Sequence, residues 1–125
     1  MAVIVADTDV LIDALCGEGE VERVAREIRA GALATTVLSV FELLVGVRSA
    51  TQEARIEDLL AGVRVLPLEA PASRRAATIR RSLGARGRAL PLADSLIAGI
   101  CLEHDAPLLT RNRAHFERVE ALRFA

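Results

Sequence analysis

Three carboxylates each stand where a structural element is about to begin: Asp7 after the apolar run 2–6, Glu42 within Ser39-Val40-Phe41-Glu42-Leu43-Leu44, and Asp94 within Leu92-Ala93-Asp94-Ser95-Leu96-Ile97-Ala98. Carboxylates brought from separate segments to one end of a parallel sheet offer hard oxygen ligands, which suit divalent cations. Metal-assisted hydrolysis of a phosphodiester is the chemistry such a site would perform. Each acid also has a plainer use. Asp7 or Asp9 can cap the helix that follows them. Ser39 and Glu42 form an S-x-x-E pair, in which the glutamate would reach back to the serine amide. Asp94 falls in a first helical turn, where the dipole favours a negative charge. Asp13 lies one turn beyond Asp9 and is expected in solvent or paired with an arginine. His104 and His115 lack any H-x-x-x-H or C-x-x-C context, so surface or capping roles are expected for both. The joint placement of Asp7, Glu42 and Asp94 beside successive strands favours the metal site, since the chain has no competing nucleophile and base.

The elements that must position these acids alternate along the chain. Strands are predicted over 2–6, 33–36, 63–68, 107–110 and 121–124, with Pro67 placing the third at a strand end or sheet edge. Helices are predicted over 8–15, 20–30, 39–49, 52–61, 72–83, 92–103 and 112–117 from apolar spacing, glycine stops and Pro91. The glycine-rich segment 84–88 is expected as a loop. Such alternation gives an α/β fold with a mostly parallel sheet and helices on both faces, and the fully apolar first strand belongs near the centre.

With 125 residues, 52% of them hydrophobic, one domain spanning 1–125 can bury a core without metals or disulfides. Cys16 and Cys101 sit among apolar helical neighbours and are expected as reduced core residues. No apolar stretch approaches a membrane span and no basic leader precedes the first strand, so a cytoplasmic protein is expected. The net charge is −1, yet Arg74, Arg75, Arg80, Arg81, Arg86 and Arg88 fall within 70–90 with no acid among them. This patch, and Arg80, Arg81, Arg86 and Arg88 in particular, is the expected seat of a nucleic-acid backbone; a solvated helix face or pairing with the acid-rich helices is the alternative. Three phenylalanines are the whole aromatic complement, so base stacking contributes little.

Asp7-Thr8-Asp9-Val10-Leu11-Ile12-Asp13, Ser39-Val40-Phe41-Glu42-Leu43-Leu44-Val45-Gly46, Leu92-Ala93-Asp94-Ser95-Leu96-Ile97-Ala98 and Leu109-Thr110-Arg111-Asn112-Arg113-Ala114-His115-Phe116 resemble, in order and spacing, the motifs of PIN-domain ribonucleases. The likeness is greatest to the VapC-type toxins of VapBC toxin-antitoxin modules. It implies a three-layer α/β/α sandwich, a Mg²⁺ or Mn²⁺ site, endonucleolytic RNA cleavage, a homodimer and inhibition by a VapB-like antitoxin. Carried over by position, Asp7, Glu42 and Asp94 match the family's acidic ligands, and Thr8, Ser39 and Thr110 match groups that orient them. Asn112 departs from the commonest pattern, which has a fourth acid there. It supplies an amide oxygen without charge, or else caps the short helix it begins. Two alternatives stand beside this reading. Asp7-Thr8-Asp9-Val10 also fits the D-x-D-x-[TV] of haloacid dehalogenase-like phosphatases, whose usual lysine is impossible in a lysine-free chain. A non-catalytic PIN scaffold that binds RNA or protein is the other.

Overall fold

The computed structural model describes residues 2–125. Four strands, β1 (Ile4–Ala6), β2 (Leu33–Thr36), β3 (Arg64–Leu66) and β4 (Leu108–Leu109), form one sheet in the order β3-β2-β1-β4. Every pairing is parallel, with Val5 opposite Ala34 and Leu108, and Thr36 opposite Leu66. The seven helices are α1 (Thr8–Cys16), α2 (Val21–Arg29), α3 (Val37–Val45), α4 (Ala50–Leu60), α5 (Ala70–Ala85), α6 (Leu92–Glu103) and α7 (Arg113–Phe116) among the described residues.

The period-two alternation of strand side chains divides the core in two. Val5, Ala34, Leu66 and Leu108 point to one face, where they meet Ala72 and Leu83 of α5, Ile97, Ile100 and Cys101 of α6, and Phe116 of α7. Ala6, Leu33 and Leu109 point to the other and meet Val10 and Leu11 of α1, Val24 of α2, Leu43 of α3 and Ile56 of α4. Both faces are therefore covered, which explains why β1 and β4 are apolar runs rather than alternating ones. The result is a three-layer α/β/α sandwich. β1 is interior and β3 lies at an edge, with Pro67 just beyond its end, as the sequence leads one to expect.

Several boundaries differ from expectation. The last predicted strand, 121–124, contributes a single parallel bridge between Leu108 and Phe124, because Ala121 adopts a left-handed φ of 68° that breaks extended geometry. α5 runs from Ala70 to Ala85 and absorbs the first two residues of the expected loop 84–88. α3 begins at Val37, two residues early, and ends at Val45, while α4 starts at Ala50 behind the Ser49 cap. Cys16 is exposed at the end of α1, a correction to its expected core position, whereas Cys101 is buried and both are free thiols. No helix among the described residues is long and apolar enough to cross a membrane.

Because the sheet is parallel, β1, β2 and β4 deliver their carboxyl ends side by side. Asp7 follows β1, Thr36 ends β2, and Thr110 follows β4. Asp94 joins them from the first turn of α6.

Candidate metal centre

Asp7 is more enclosed than Glu42 or Asp94, with 7% of its surface exposed. It is also the N-cap of α1: its Oδ1 accepts from the Thr8 amide at 2.8 Å, and its Oδ2 accepts from Thr110 Oγ1 at 2.8 Å. Capping and site membership thus coexist in one carboxylate. Burial pushes its pKa up to about 6; the Thr110 hydrogen bond opposes this, the Asp9 charge adds to it, the Thr8 amide opposes it, and the Asp94 charge adds again.

Glu42 is held by a hydroxyl, not by the backbone amide its spacing suggests. Thr36 is the N-cap of α3 and accepts from the Ser39 amide at 3.2 Å, so Ser39 lies inside the helix and the S-x-x-E capping box does not form. Freed from the cap, Glu42 sits one turn further along. Its Oε1 lies 2.8 Å from Thr8 Oγ1, which is also 2.9 Å from Ser39 Oγ. Thr8 has one hydroxyl hydrogen. It donates to the carboxylate, and the buried Ser39 hydroxyl donates to Thr8, giving a relay from α3 through α1 back to α3.

Asp94 is partly buried and its pKa is raised: burial is the main cause, a hydrogen bond and charge from His115 oppose it, and the charges of Glu42 and Asp9 add to it. Its Oδ2 lies 3.4 Å from His115 Nδ1, and the same nitrogen lies 2.8 Å from Asn112 Nδ2. These contacts are exclusive. An unprotonated Nδ1 accepts from the Asn112 amide, whereas a protonated Nδ1 donates to Asp94 and requires the amide to present its oxygen. His115 therefore belongs to the acid network, a correction to its expected surface or capping role; His104 is exposed at the C-cap of α6. Asn112 occupies the N-cap position of α7 but makes no side-chain cap, and its backbone N–H donates to Thr110 Oγ1 at 3.0 Å.

Two acids to which the sequence assigns plainer roles also converge here. Asp9 does not cap α1. Its Oδ2 accepts from the Arg111 amide at 3.1 Å and lies 3.5 Å from Thr110 Oγ1. Asp13 is buried rather than solvated, and pairs with Arg111 Nε at 3.0 Å while accepting from the Glu20 amide. The sequence signal for Asp9 is its place two residues after Asp7. For His115 it is the i+3 spacing from Asn112.

The donors facing this space are carboxylate, hydroxyl and amide oxygens, with one imidazole, which is the chemistry of hard divalent cations. Asp9 Oδ1 is cut off from solvent without a hydrogen-bond partner, and four acids are close enough for their charges to disturb one another. Both observations fit a cation. Among the described residues no three of these side chains form a closed ligand cage, so a cation would draw them together. The basic residues Arg80, Arg81, Arg86 and Arg88 are all exposed; Arg80 Nε donates to Leu90 O, and none of the four pairs with a carboxylate among the described residues.

The model of the PIN domain matches residues 4–122. The chain belongs to the PIN-domain family. As a PIN domain it is similar in fold to VapBC2 from Rickettsia felis bound to a DNA fragment from its promoter, with a TM-score of 0.88 and 17% identity over 98% of this chain and 97% of that one. DNA-bound VapBC from Salmonella typhimurium gives a TM-score of 0.87 at 22% identity, covering 100% of this chain and 98% of the other. FitAcB from Neisseria gonorrhoeae gives 0.79 at 22%, covering 98% and 96%. No curated protein matches the sequence.

Proposed function

We propose that this PIN domain is a Mg²⁺- or Mn²⁺-dependent endoribonuclease and the toxin of a VapBC-like toxin-antitoxin pair. The observation that carries the reading is the convergence of Asp7, Glu42 and Asp94 at the carboxyl ends of β1 and β2 and the start of α6, each fixed by its own partner. Asp7, Glu42 and Asp94 would hold the cation, with Asn112 at its margin. When bound, the cation supplies Lewis acidity, which acidifies water and offsets charge on the scissile phosphate.

The chain's own residues do the positioning. Thr110 and the Thr8 amide fix both oxygens of Asp7. Thr8 and Ser39 fix Glu42, and His115 restrains Asp94. Side chains that donate to a ligating carboxylate set its orientation and basicity. The exposed arginines of α5 and the segment after it, Arg80, Arg81, Arg86 and Arg88, would hold the flanking RNA backbone.

The similar folds include complexes named VapBC and a toxin-antitoxin complex from Klebsiella pneumoniae, which supports a VapB-like antitoxin as partner. Phe41 and Val45 on α3 and Leu92 on α6 are exposed at 65%, 69% and 61%, an apolar surface of the kind a homodimer or an antitoxin would cover. The phosphatase alternative finds no support. Asp9, which would be its acid/base, has one oxygen committed to the Arg111 amide and the other enclosed.

The test is RNA cleavage by purified protein with Mn²⁺ or Mg²⁺ and after chelation. Asp7→Asn, Glu42→Gln and Asp94→Asn should each abolish most cleavage while the proteins remain folded. Intact cleavage in all three would refute the assignment, and folded, RNA-binding, metal-indifferent protein without cleavage would favour the non-catalytic scaffold.

A further inference from the structure

We propose that Asp9 supplies the fourth carboxylate of the metal centre, in the place that Asn112 leaves uncharged. The inference rests on the metal-dependent reading above and adds a residue to it.

Asp9 stands in the first turn of α1, two residues beyond Asp7, and its two oxygens have different fates. Oδ2 is anchored by the Arg111 amide at 3.1 Å, on the segment between β4 and α7. Oδ1 is enclosed and has no donor at all. A buried carboxylate oxygen without a partner is strongly disfavoured, because it has lost water and gained nothing in return. The groups closest in charge to it are other carboxylates, which offer no hydrogen when ionised. The guanidinium that pairs with an acid of α1 is that of Arg111, and its Nε is engaged by Asp13. A cation bound among these acids would satisfy Oδ1.

Asn112 shows the complementary vacancy of charge. Its side-chain amide lies 2.8 Å from His115 Nδ1, its backbone N–H donates to Thr110, and it carries no negative charge. Thr110 Oγ1 lies between the two candidates, 2.8 Å from Asp7 Oδ2, 3.5 Å from Asp9 Oδ2 and 3.0 Å from the Asn112 amide. One hydroxyl thus links position 112 with Asp7 and Asp9, so charge missing on one side can be supplied from the other. The electrostatics agree: after burial, the Asp9 charge is among the causes that raise the pKa of both Asp7 and Asp94.

The experiment is a calorimetric titration of Mn²⁺ into metal-stripped wild type, Asp9→Asn, Asn112→Ala and Asp94→Asn, with thermal melts of each protein with and without Mn²⁺. Asparagine at position 9 retains an oxygen for the Arg111 amide, so the metal-free melting temperature should change little, and Asp9→Ser offers a second, smaller acceptor if it does not fold. Asp9→Asn is expected to weaken Mn²⁺ binding by roughly tenfold or more, or to remove one ion, and to lose most of the Mn²⁺-induced rise in melting temperature. Asn112→Ala should weaken binding far less. Wild-type affinity and stoichiometry in Asp9→Asn, with Asp94→Asn weakened, would overturn the role of Asp9 alone. No Mn²⁺ binding by the wild type would instead overturn the metal-centre reading and this proposal with it.

Discussion

Asp7 combines three demands that conflict in the metal-free protein: it caps α1, accepts from Thr110, and lies among other acids in a buried position. Burial outweighs the two hydrogen bonds, so its folded pKa of about 6 lies above the unfolded value of 3.8. A group whose pKa rises on folding stabilises the native state below the unfolded pKa, and that contribution is lost as pH rises through the folded one. Between pH 4 and pH 6 the metal-free protein should therefore lose stability through Asp7, by up to about 3 kcal/mol at 1.36 kcal/mol per unit. Asp7→Asn removes the ionisation. Relative to wild type, the variant should gain about 1–3 kcal/mol on going from pH 4 to pH 7 in urea melts without metal, and Mn²⁺ should reverse the order by binding wild type alone. A pH-independent difference between the two proteins would show that Asp7 ionises like an exposed carboxylate. Cys101 feels the same surroundings, its thiol pushed up to about 12 chiefly by burial and further by the Asp7 charge, so it should resist alkylation in the native protein while exposed Cys16 reacts.

At the scale of elements, the strands and most helices could be read from the sequence because their signals were redundant. Runs such as 2–6 and 107–109 are apolar throughout, and a strand covered on both faces needs that. The start of α3 could not be settled the same way. Thr35, Thr36 and Ser39 offer three hydroxyls close together, and Ser39 with Glu42 has the stronger local signature. The decision came from tertiary pairing: Thr35 and Thr36 extend β2 opposite Val65 and Leu66, which leaves Thr36 at the helix entrance and moves Glu42 into the site. Asp9 and His115 were missed for a related reason, since their partners Arg111, Asp94 and Asn112 come together only when β4 lies beside β1. The α5–α6 packing was equally silent in the sequence. A Cβ on Gly99 would come 2.4 Å from the Ala72 carbonyl oxygen and 3.1 Å from Ala76 Cβ, so glycine sets how closely the two helices approach. Gly99→Ala cannot be relieved by a rotamer change, because the obstacle is backbone. Its strain should outweigh the helix propensity that alanine gains, lowering stability by about 1–3 kcal/mol in chemical unfolding. Since Asp94 rides on α6, the displacement should also weaken Mn²⁺ binding; unchanged stability would mean that the helices can part freely.

Over the whole molecule, a net charge of −1 conceals a separation of sign. Asp7, Asp9, Glu42 and Asp94 gather at the carboxyl ends of the strands, a field that repels nucleic acid unless cations neutralise it. The opposing charge is carried by α5 and the segment leading into α6, where Arg74, Arg80, Arg81, Arg86 and Arg88 are exposed and make no ion pair among the described residues. Arg86 and Arg88 are the best placed of these, because the chain passes from them through Pro91 directly into the turn that holds Asp94. Their segment is also tied down, since Arg118 Nη1 donates to Arg88 O at 3.2 Å. Phosphates gripped there would lie on the approach to the acids. Replacing Arg86 and Arg88 together with Ala should therefore weaken RNA binding and reduce the slope of log affinity against log salt, by about 0.7–0.9 for each phosphate that is no longer neutralised. Mn²⁺ affinity should not change, and cleavage at saturating RNA should survive, because neither arginine touches the acids. Filter binding of a catalytically silent Asp94→Asn background across a salt series would measure the slope without turnover. An unaltered slope would remove these arginines from the RNA path and leave them to a protein partner or to solvent.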